Sequence, residues 1–406
     1  MKKNILPCVV GLGYVGLPVF NRLQKKFTTI GFDINTKRIS TLKKRIDTNN
    51  EFSPKELNLK TNSFFSSSIK DLKNSNFFII TVPTPLKKNN IPNLSSLFEA
   101  SKLVAKNLKK GDIIFFESTV YPGTSELLIK KVFEKKTNLK EGKDFWVGYS
   151  PERINPGDKI HSIHKTSKII AFNTGLKNIK NKITNVYRAI TPKLYFTNSI
   201  KDAETAKIIE NIQRDLNIAL MNDIFIFSKK MNLDFKNIIK LASTKWNFLK
   251  FDAGLVGGHC LPVDPYYLSY IAKKNNISLQ TVLAGRQVNA KMETFIFNEI
   301  KKMIKTLKKP QILISGITYK KNVADIRNSL PLNIFLNLKK ILKDITAYDY
   351  VCGNDAVIKY DICKKFNKKI KYNLIIFLVN HKENKKIYNY AVKNKIQVFD
   401  PFRFFN

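Results

Sequence analysis

Cys260 stands in a glycine-rich turn, Gly257-Gly258-His259-Cys260-Leu261-Pro262-Val263-Asp264, with a carboxylate four residues on. The same chain opens with Gly11-Leu12-Gly13-Tyr14-Val15-Gly16, the spacing of a dinucleotide fingerprint. A nicotinamide cofactor together with a nucleophilic thiol serves one chemistry well. An alcohol or aldehyde is oxidised to an acid through a thiohemiacetal and then a thioester on the sulfur.

Cys260 has three readings. Free cysteine is often a small buried hydrophobe, but Gly257, Gly258 and Pro262 argue for a turn that presents the thiol rather than a regular core element. A protease pairing with His259 fails because adjacent side chains diverge. A dehydrogenase nucleophile is preferred. Asp264 precedes Pro265 at a candidate first helical position, so it suits a helix cap, and capping is compatible with catalysis. Lys207, Asn211 and Arg214 fall on one helical face. Alone they would be a solvated polar stripe; near a thiol that must stabilise an oxyanion, Lys207 and Asn211 gain a purpose.

Stepping out from the first glycine turn, Ile5 to Val10 reads as a strand and Tyr14 to Lys26 as the helix that follows. Gly11, Gly13 and Gly16 then allow a tight turn, approach of the pyrophosphate and close helix packing. Asp33 ends the second predicted strand, 22 residues after Gly11. A carboxylate there binds ribose hydroxyls and repels a 2′-phosphate, so NAD is expected over NADP, a preference softened by Lys37 and Arg38.

Further apolar runs at Phe77 to Val82, Ile113 to Ser118 and Phe145 to Ser150 continue a strand–helix alternation to about residue 195. The longest helical pattern runs from Asp202 to about Lys230, with Ala206, Ile209, Ile212, Leu216, Ala219 and Leu220 at helical spacing. Alternation returns after Lys308-Lys309-Pro310, with strands at Gln311 to Ser315, Ile345 to Tyr348, Leu374 to Val379 and Ile396 to Phe399. The expected fold is α/β, two Rossmann-like parallel-sheet domains (1–198 and 308–406) joined by a helical middle domain (199–307) that carries Cys260.

Composition narrows the class. Hydrophobic content of 43% and aromatic content of 11% suit a well-packed globular chain. No apolar run approaches a membrane span and no signal-peptide pattern opens the chain, so a cytoplasmic location is expected. The four cysteines are scattered, without disulfide-framework or metal-ligand spacing. A net charge of +40 would suit a nucleic-acid partner, but lysine doublets such as Lys25-Lys26 and Lys368-Lys369 are spread along the whole chain instead of forming a stripe. Attraction of an anionic nucleotide substrate is the milder consequence.

At these residues the chain resembles the UDP-glucose/GDP-mannose dehydrogenase family, the NAD-dependent nucleotide-sugar 6-dehydrogenases. The resemblance runs nearly end to end: Gly11 to Pro18, Val82-Pro83-Thr84-Pro85, Glu117-Ser118-Thr119-Val120, Ser150-Pro151-Glu152-Arg153, Lys207 with Asn211, the Cys260 turn with Asp264, and Gly316 to Lys321 leading to Asp325-Ile326-Arg327. Glu210 to Asp215 and Lys245 to Lys250 look most like the branch acting on UDP-N-acetylhexosamines. The resemblance implies that Cys260 is the nucleophile, that Lys207 and Asn211 stabilise the oxyanion, and that Asp264 orients water or acts as a base. It gives Glu152 a part in thioester hydrolysis and Thr119 the positioning of the water. Gly11, Gly13, Tyr14, Val15, Gly16, Asp33, Arg38, Pro83, Thr84, Thr119 and Arg327 would meet NAD. Glu152, Arg153, Lys207, Asn211, Arg214, Phe248, Leu249, Lys250, Gly257, Tyr319 and Lys320 would meet the UDP-sugar.

The chain departs from the family pattern at Asp252-Ala253, Asn322 and Pro7-Cys8, which bears on substrate choice and not on reaction type. The resemblance implies a homodimer or higher homo-oligomer and a product used for surface polysaccharide. Rival readings are a UDP-glucose or UDP-N-acetylmannosamine 6-dehydrogenase, a single-hydride hydroxyacid dehydrogenase that would not need Cys260, and a basic nucleic-acid-binding protein with a vestigial cofactor fold.

Overall fold

A computed structural model describes residues 4–49, 51–60, 62–153 and 163–405. The central apolar runs become strands buried on both faces, as parallel strands covered by helices must be, and the edge strands stay partly exposed. In the N-terminal region these are β1 (Pro7–Val10), β2 (Ile30–Phe32), β3 (Phe64–Ser66), β4 (Phe77–Ile80), β5 (Ile113–Phe116), β6 (Trp146–Tyr149), β7 (Lys168–Phe172) and β8 (Leu194–Thr197). They pair in the order β3-β2-β1-β4-β5-β6-β7-β8. Every pairing is parallel except β6 with β7, which is antiparallel. Pro7 opens strand β1, a position where a missing N–H does little harm to the ladder. Phe20, Phe77, Phe115 and Tyr187 pack within the core between this sheet and its helices.

The second sheet holds β9 (Ile312–Ser315), β10 (Ile345–Tyr348), β11 (Ile362–Cys363), β12 (Leu374–Phe377) and β13 (Gln397–Phe399), all parallel, in the order β11-β10-β9-β12-β13. Between β8 and β9 the structure is helical, with Ile200–Lys230, Phe235–Ala242, Asp264–Lys274 and Gln280–Lys305. The α/β class with two parallel-sheet regions and a helical middle is thus the observed one. By internal contacts the chain falls into two units, Met1–Ile209 with Tyr270–Asn275 and Glu210–Ser269 with Asn276–Asn406.

The expected long helix forms, but its apolar positions divide. Ile212 and Ala219 are buried, whereas Ile209 and Leu220 are about half exposed, at 51% and 55%. Eleven residues apart, those two share one face of the helix, so periodicity alone could not say that this face lies outward.

Candidate active site

The first glycine turn is built by its own backbone. Gly11, at φ +95°, donates its N–H to the Phe32 carbonyl at 2.8 Å. Leu12 N–H donates to one oxygen of Asp33 at 2.8 Å, and Asn35 N–H donates to the other at 2.9 Å. The helix Gly16–Leu23 then starts with no side chain capping it. A Cβ on Gly16 would stand 1.8 Å from the Gly11 carbonyl oxygen, so only glycine allows this packing. A Cβ on Gly13 would meet nothing within 4 Å. The protein's own packing therefore does not require Gly13; its bareness leaves room for a second molecule. An open backbone cradle, an uncapped helix start and an aimed carboxylate fit the pyrophosphate and ribose of a dinucleotide.

Arg38 braces this turn instead of reaching outward. Its Nε donates to the Leu12 carbonyl at 2.9 Å and its Nη1 to Asp47 at 2.8 Å, with the side chain 10% exposed. Those bonds tie the guanidinium to the turn and to the Asp47 carboxylate. Tyr14 and Val15, half-buried, complete the turn beside the exposed Gly13.

The loops beyond β4 and β5 are tied together. Thr84 hydroxyl donates to the Thr119 carbonyl at 2.7 Å, and Ser118 hydroxyl donates to the Val82 carbonyl at 2.6 Å. Pro83 is exposed on the first loop. Glu204, fully buried on the long helix, accepts the N–H groups of Gly123 and Ser125 and so anchors the chain just past Thr119. Three residues on, Lys207 is also buried.

Glu152 follows β6 and lies in an ionic cluster that the sequence did not foretell. Lys168 Nζ donates to Glu152 at 2.8 Å and to Glu117 at 2.9 Å, and all three side chains are buried. Burial, with the nearby Glu152 charge, pushes the Glu117 carboxyl up to about 7 against the pull of Lys168. Burial would lower the Lys168 ammonium, but the Glu117 and Glu152 charges outweigh it and hold its pKa above the usual lysine value. Arg153 turns to the Ser167 hydroxyl at 3.3 Å.

The thiol turn belongs to the other unit. Cys260 is half-buried, and its carbonyl accepts the N–H groups of Val263 at 3.0 Å and Asp264 at 2.9 Å. Asp264, the first residue of the helix Asp264–Lys274, takes a short hydrogen bond from the Asn211 amide. Asn211, Asp264 and the Cys260 backbone therefore form one hydrogen-bonded series. Gly258, at φ +90°, donates to the Arg327 carbonyl at 3.1 Å, while the Asn328 amide donates to the Gly258 carbonyl at 2.9 Å. Arg327 itself reaches Asp325 at 2.6 Å and the His259 ring at 3.2 Å. Tyr319 lies over the glycines so closely that a Cβ on Gly258 would come within 2.7 Å of its ring.

The entry to the turn is fixed by Asn222, whose amide both accepts from Gly254 N–H at 2.8 Å and donates to the Gly254 carbonyl at 3.1 Å. Asn289 and the buried pair Asp215–Arg286 extend that network. These anchors carried no motif; an asparagine mid-helix signals nothing until its partner is known. Of the remaining expected substrate residues, Phe248 and Lys320 are half-buried, and Arg214, Leu249 and Lys250 are exposed.

Comparison with known proteins covers the whole of this arrangement. The UDP-glucose/GDP-mannose dehydrogenase family matches in three parts: its NAD binding domain over residues 5–191, its central domain over 201–291 and its UDP binding domain over 313–406. A protein of Pseudomonas aeruginosa named UDP-N-acetyl-D-glucosamine 6-dehydrogenase is 41% identical over 392 residues, 95% of this chain and 92% of its own. Protein CapL of Staphylococcus aureus is 42% identical over 98% of this chain and 96% of its own. Among solved structures, the UDP-D-ManNAc dehydrogenase of Pyrococcus horikoshii superposes with a TM-score of 0.85 at 28% identity, covering 99% of this chain and 96% of that one.

Proposed function

From the premise that the chain belongs to the UDP-glucose/GDP-mannose dehydrogenase family and is an NAD-dependent UDP-sugar 6-dehydrogenase, we propose that its substrate is a UDP-N-acetylhexosamine, oxidised at C6 to the uronic acid. The observation that carries the chemistry is the Cys260 turn, with its backbone bonded to Asp264 and Asp264 bonded to Asn211. The relatives named UDP-N-acetyl-D-glucosamine 6-dehydrogenase, at 41% and 40% identity, favour the N-acetylhexosamine over glucose.

When bound, NAD accepts the hydride that leaves C6 at each of two oxidations. The protein's part is to keep the carbon in place between them. Cys260 sulfur adds to the aldehyde carbon, holding it as a thiohemiacetal and then as a thioester, so no aldehyde escapes. Lys207 and Asn211 are assigned to the oxygen that gains charge, which a cation and an amide donor stabilise. Asp264 and Glu152 take protons, Thr119 aligns water, and attack of water on the thioester carbon returns the electron pair of the C–S bond to sulfur.

Gly11, Gly13, Tyr14, Val15, Gly16, Asp33, Arg38, Pro83, Thr84, Thr119 and Arg327 are assigned to the cofactor. Glu152, Arg153, Lys207, Asn211, Arg214, Phe248 to Lys250, Gly257, Tyr319 and Lys320 are assigned to the sugar nucleotide. The functional division is NAD binding in 1–198, the thiol and subunit pairing in 199–307, and UDP-sugar binding in 308–406.

A homodimer is the expected assembly, since Leu220, Phe227, Met231, Leu233, Leu241 and Trp246 expose apolar surface in the helical middle. Sedimentation of the purified chain checks it: a dimer is expected, and a monomer at micromolar concentration would contradict it. No helix among the described residues is long and apolar enough to cross a membrane, and the reading places the enzyme in the cytoplasm, making a uronate precursor for surface polysaccharide. A panel of UDP-sugars with NAD tests the substrate. Highest kcat/KM is expected for UDP-N-acetylglucosamine or its C4 epimer; highest kcat/KM for UDP-glucose or UDP-N-acetylmannosamine would overturn it.

A further inference from the structure

The single antiparallel pairing in the first sheet has a chemical result. Gly148 pairs with Phe172 and Tyr149 with Ala171 across β6 and β7. Continued for three residues, that register sets Glu152 opposite Lys168. Because β7 runs backwards, its first residue lies at the edge where β5 and β6 end, the edge that carries function in parallel sheets. Glu117, the residue after β5, completes the trio from the neighbouring strand.

An ammonium and two carboxylates buried together are a poor choice for stability alone, since apolar residues of similar volume usually do as well or better. Such clusters gather where a protonation state or an orientation matters. Here the orientation is specific. Glu152 Oε2 accepts from Lys168 at 2.8 Å, and Glu152 Oε1 accepts from the Arg153 N–H at 2.6 Å. Tyr187, fully buried on the helix Lys177–Ile190, lies beside Glu117.

We propose that Lys168 is a positioning residue for Glu152, holding its carboxylate in one orientation for the hydrolytic half of the reaction. This rests on the role given to Glu152 above. In that half, water oxygen bonds to the thioester carbon, one water proton passes to Glu152, the other stays on the new carboxyl, and the C–S bond breaks with its electrons on Cys260 sulfur. Lys168 touches neither substrate nor cofactor in this scheme. Glu117 balances the lysine, so its ammonium can be buried without being committed to Glu152 alone.

The test compares Lys168→Met, Lys168→Arg, Glu152→Gln, the double variant Lys168→Met/Glu152→Gln and the pair Glu117→Gln/Lys168→Met, which removes opposite charges together and so guards against simple failure to fold. Each is mixed with NAD and UDP-N-acetylglucosamine, and pre-steady-state NADH, steady-state turnover and the mass of the Cys260 peptide are followed. A misplaced catalytic group costs about 10²-fold. Steady-state turnover of Lys168→Met and of the charge-balanced pair is expected to fall on that scale, while the NADH burst persists and a uronyl adduct accumulates on Cys260. Lys168→Arg should recover part of the rate, and Lys168→Met/Glu152→Gln should be no slower than Glu152→Gln alone. Burst and steady state falling together, or wild-type turnover per folded molecule in the charge-balanced pair, would overturn the role of Lys168. If Glu152→Gln itself neither slowed hydrolysis nor gained an adduct, the reading of Glu152 would fall first, and that result is distinct from the other two.

Discussion

The N-terminal and C-terminal sheets repeat one device and put it to different ends. Gly11 and Gly316 share φ of +95°, and each donates its N–H to the carbonyl closing the next strand, Phe32 at 2.8 Å and Tyr348 at 2.9 Å. In each, the following N–H donates to the first carboxylate past that strand, Asp33 or Asp349, at 2.8 Å. There the likeness ends. Asp33 is half-buried beside an open glycine, and the uncapped helix starts at Gly16. Asp349 is sealed in, taking bonds from Ile317, Thr318, Val351 and His381, and the helix waits until Leu330, where Ser329 caps it. The residues in between, 317 to 329, include Tyr319, Lys320 and Arg327. One turn is thus open to a dinucleotide, while its counterpart is a closed structural joint from which the stretch 317–329 departs.

The sharpest way to break that contrast is Gly16→Ala. The Cβ would overlap the Gly11 carbonyl, so the N-terminal turn should not form, and both thermal stability and NAD binding should collapse. Next is Asp349→Ala, which strands the buried His381 and three backbone N–H groups. A loss of about 3–5 kcal/mol by denaturant titration is expected, the scale of a broken buried pair, with the KM for NAD nearly unchanged in the protein that remains folded. Asp33→Ala should do the converse, raising the KM for NAD about 10–100-fold as a charge-assisted hydrogen bond is lost, with stability little altered. Gly13→Ala should leave stability intact and weaken only NAD, because its Cβ meets no protein atom. If Asp33→Ala and Asp349→Ala behaved alike, the contrast would be wrong.

The smallest effects concern pH and run in opposite directions. Burial raises the Glu117 carboxyl to about 7 from an ordinary 4.5, so the folded state binds that proton more tightly. Its contribution is fully present below 4.5 and is lost as pH rises through 7. Burial acts the same way on Asp349, but the His381 contact and the amides of Thr318 and Ile317 outweigh it and hold this carboxyl below 3.8. Its contribution is present above that value and is lost as pH falls. Stability measured against pH in Glu117→Gln should lose the decline between 4.5 and 7. A wild-type slope there would place the titration elsewhere.

The cofactor end was readable because its signals are local. Glycine spacing, a strand before and a helix after, and one carboxylate at the right distance all lie within Ile5 to Asp33. The Cys260 turn was readable for the same reason. What stayed hidden depends on pairing between distant segments. Lys168 opens a five-residue strand whose role follows from its reversal beside β6, and no periodicity encodes that reversal. Strands β3 and β11, three and two residues long, lacked the length to stand out. Gly316 and Asp349 were invisible as a copy of Gly11 and Asp33, because the helix that normally follows the turn is displaced.

The claim on which the rest depends is that one sulfur carries a single carbon through two oxidations. The direct measurement is the amount of NADH formed per UDP-N-acetylglucosamine consumed, with the product identified by mass. About two NADH per sugar and a uronate are expected, as covalent retention of the aldehyde requires, and Cys260→Ser should form no uronate while still binding NAD. One NADH per sugar with a released aldehyde, or uronate formed by Cys260→Ser at the wild-type rate, would contradict it.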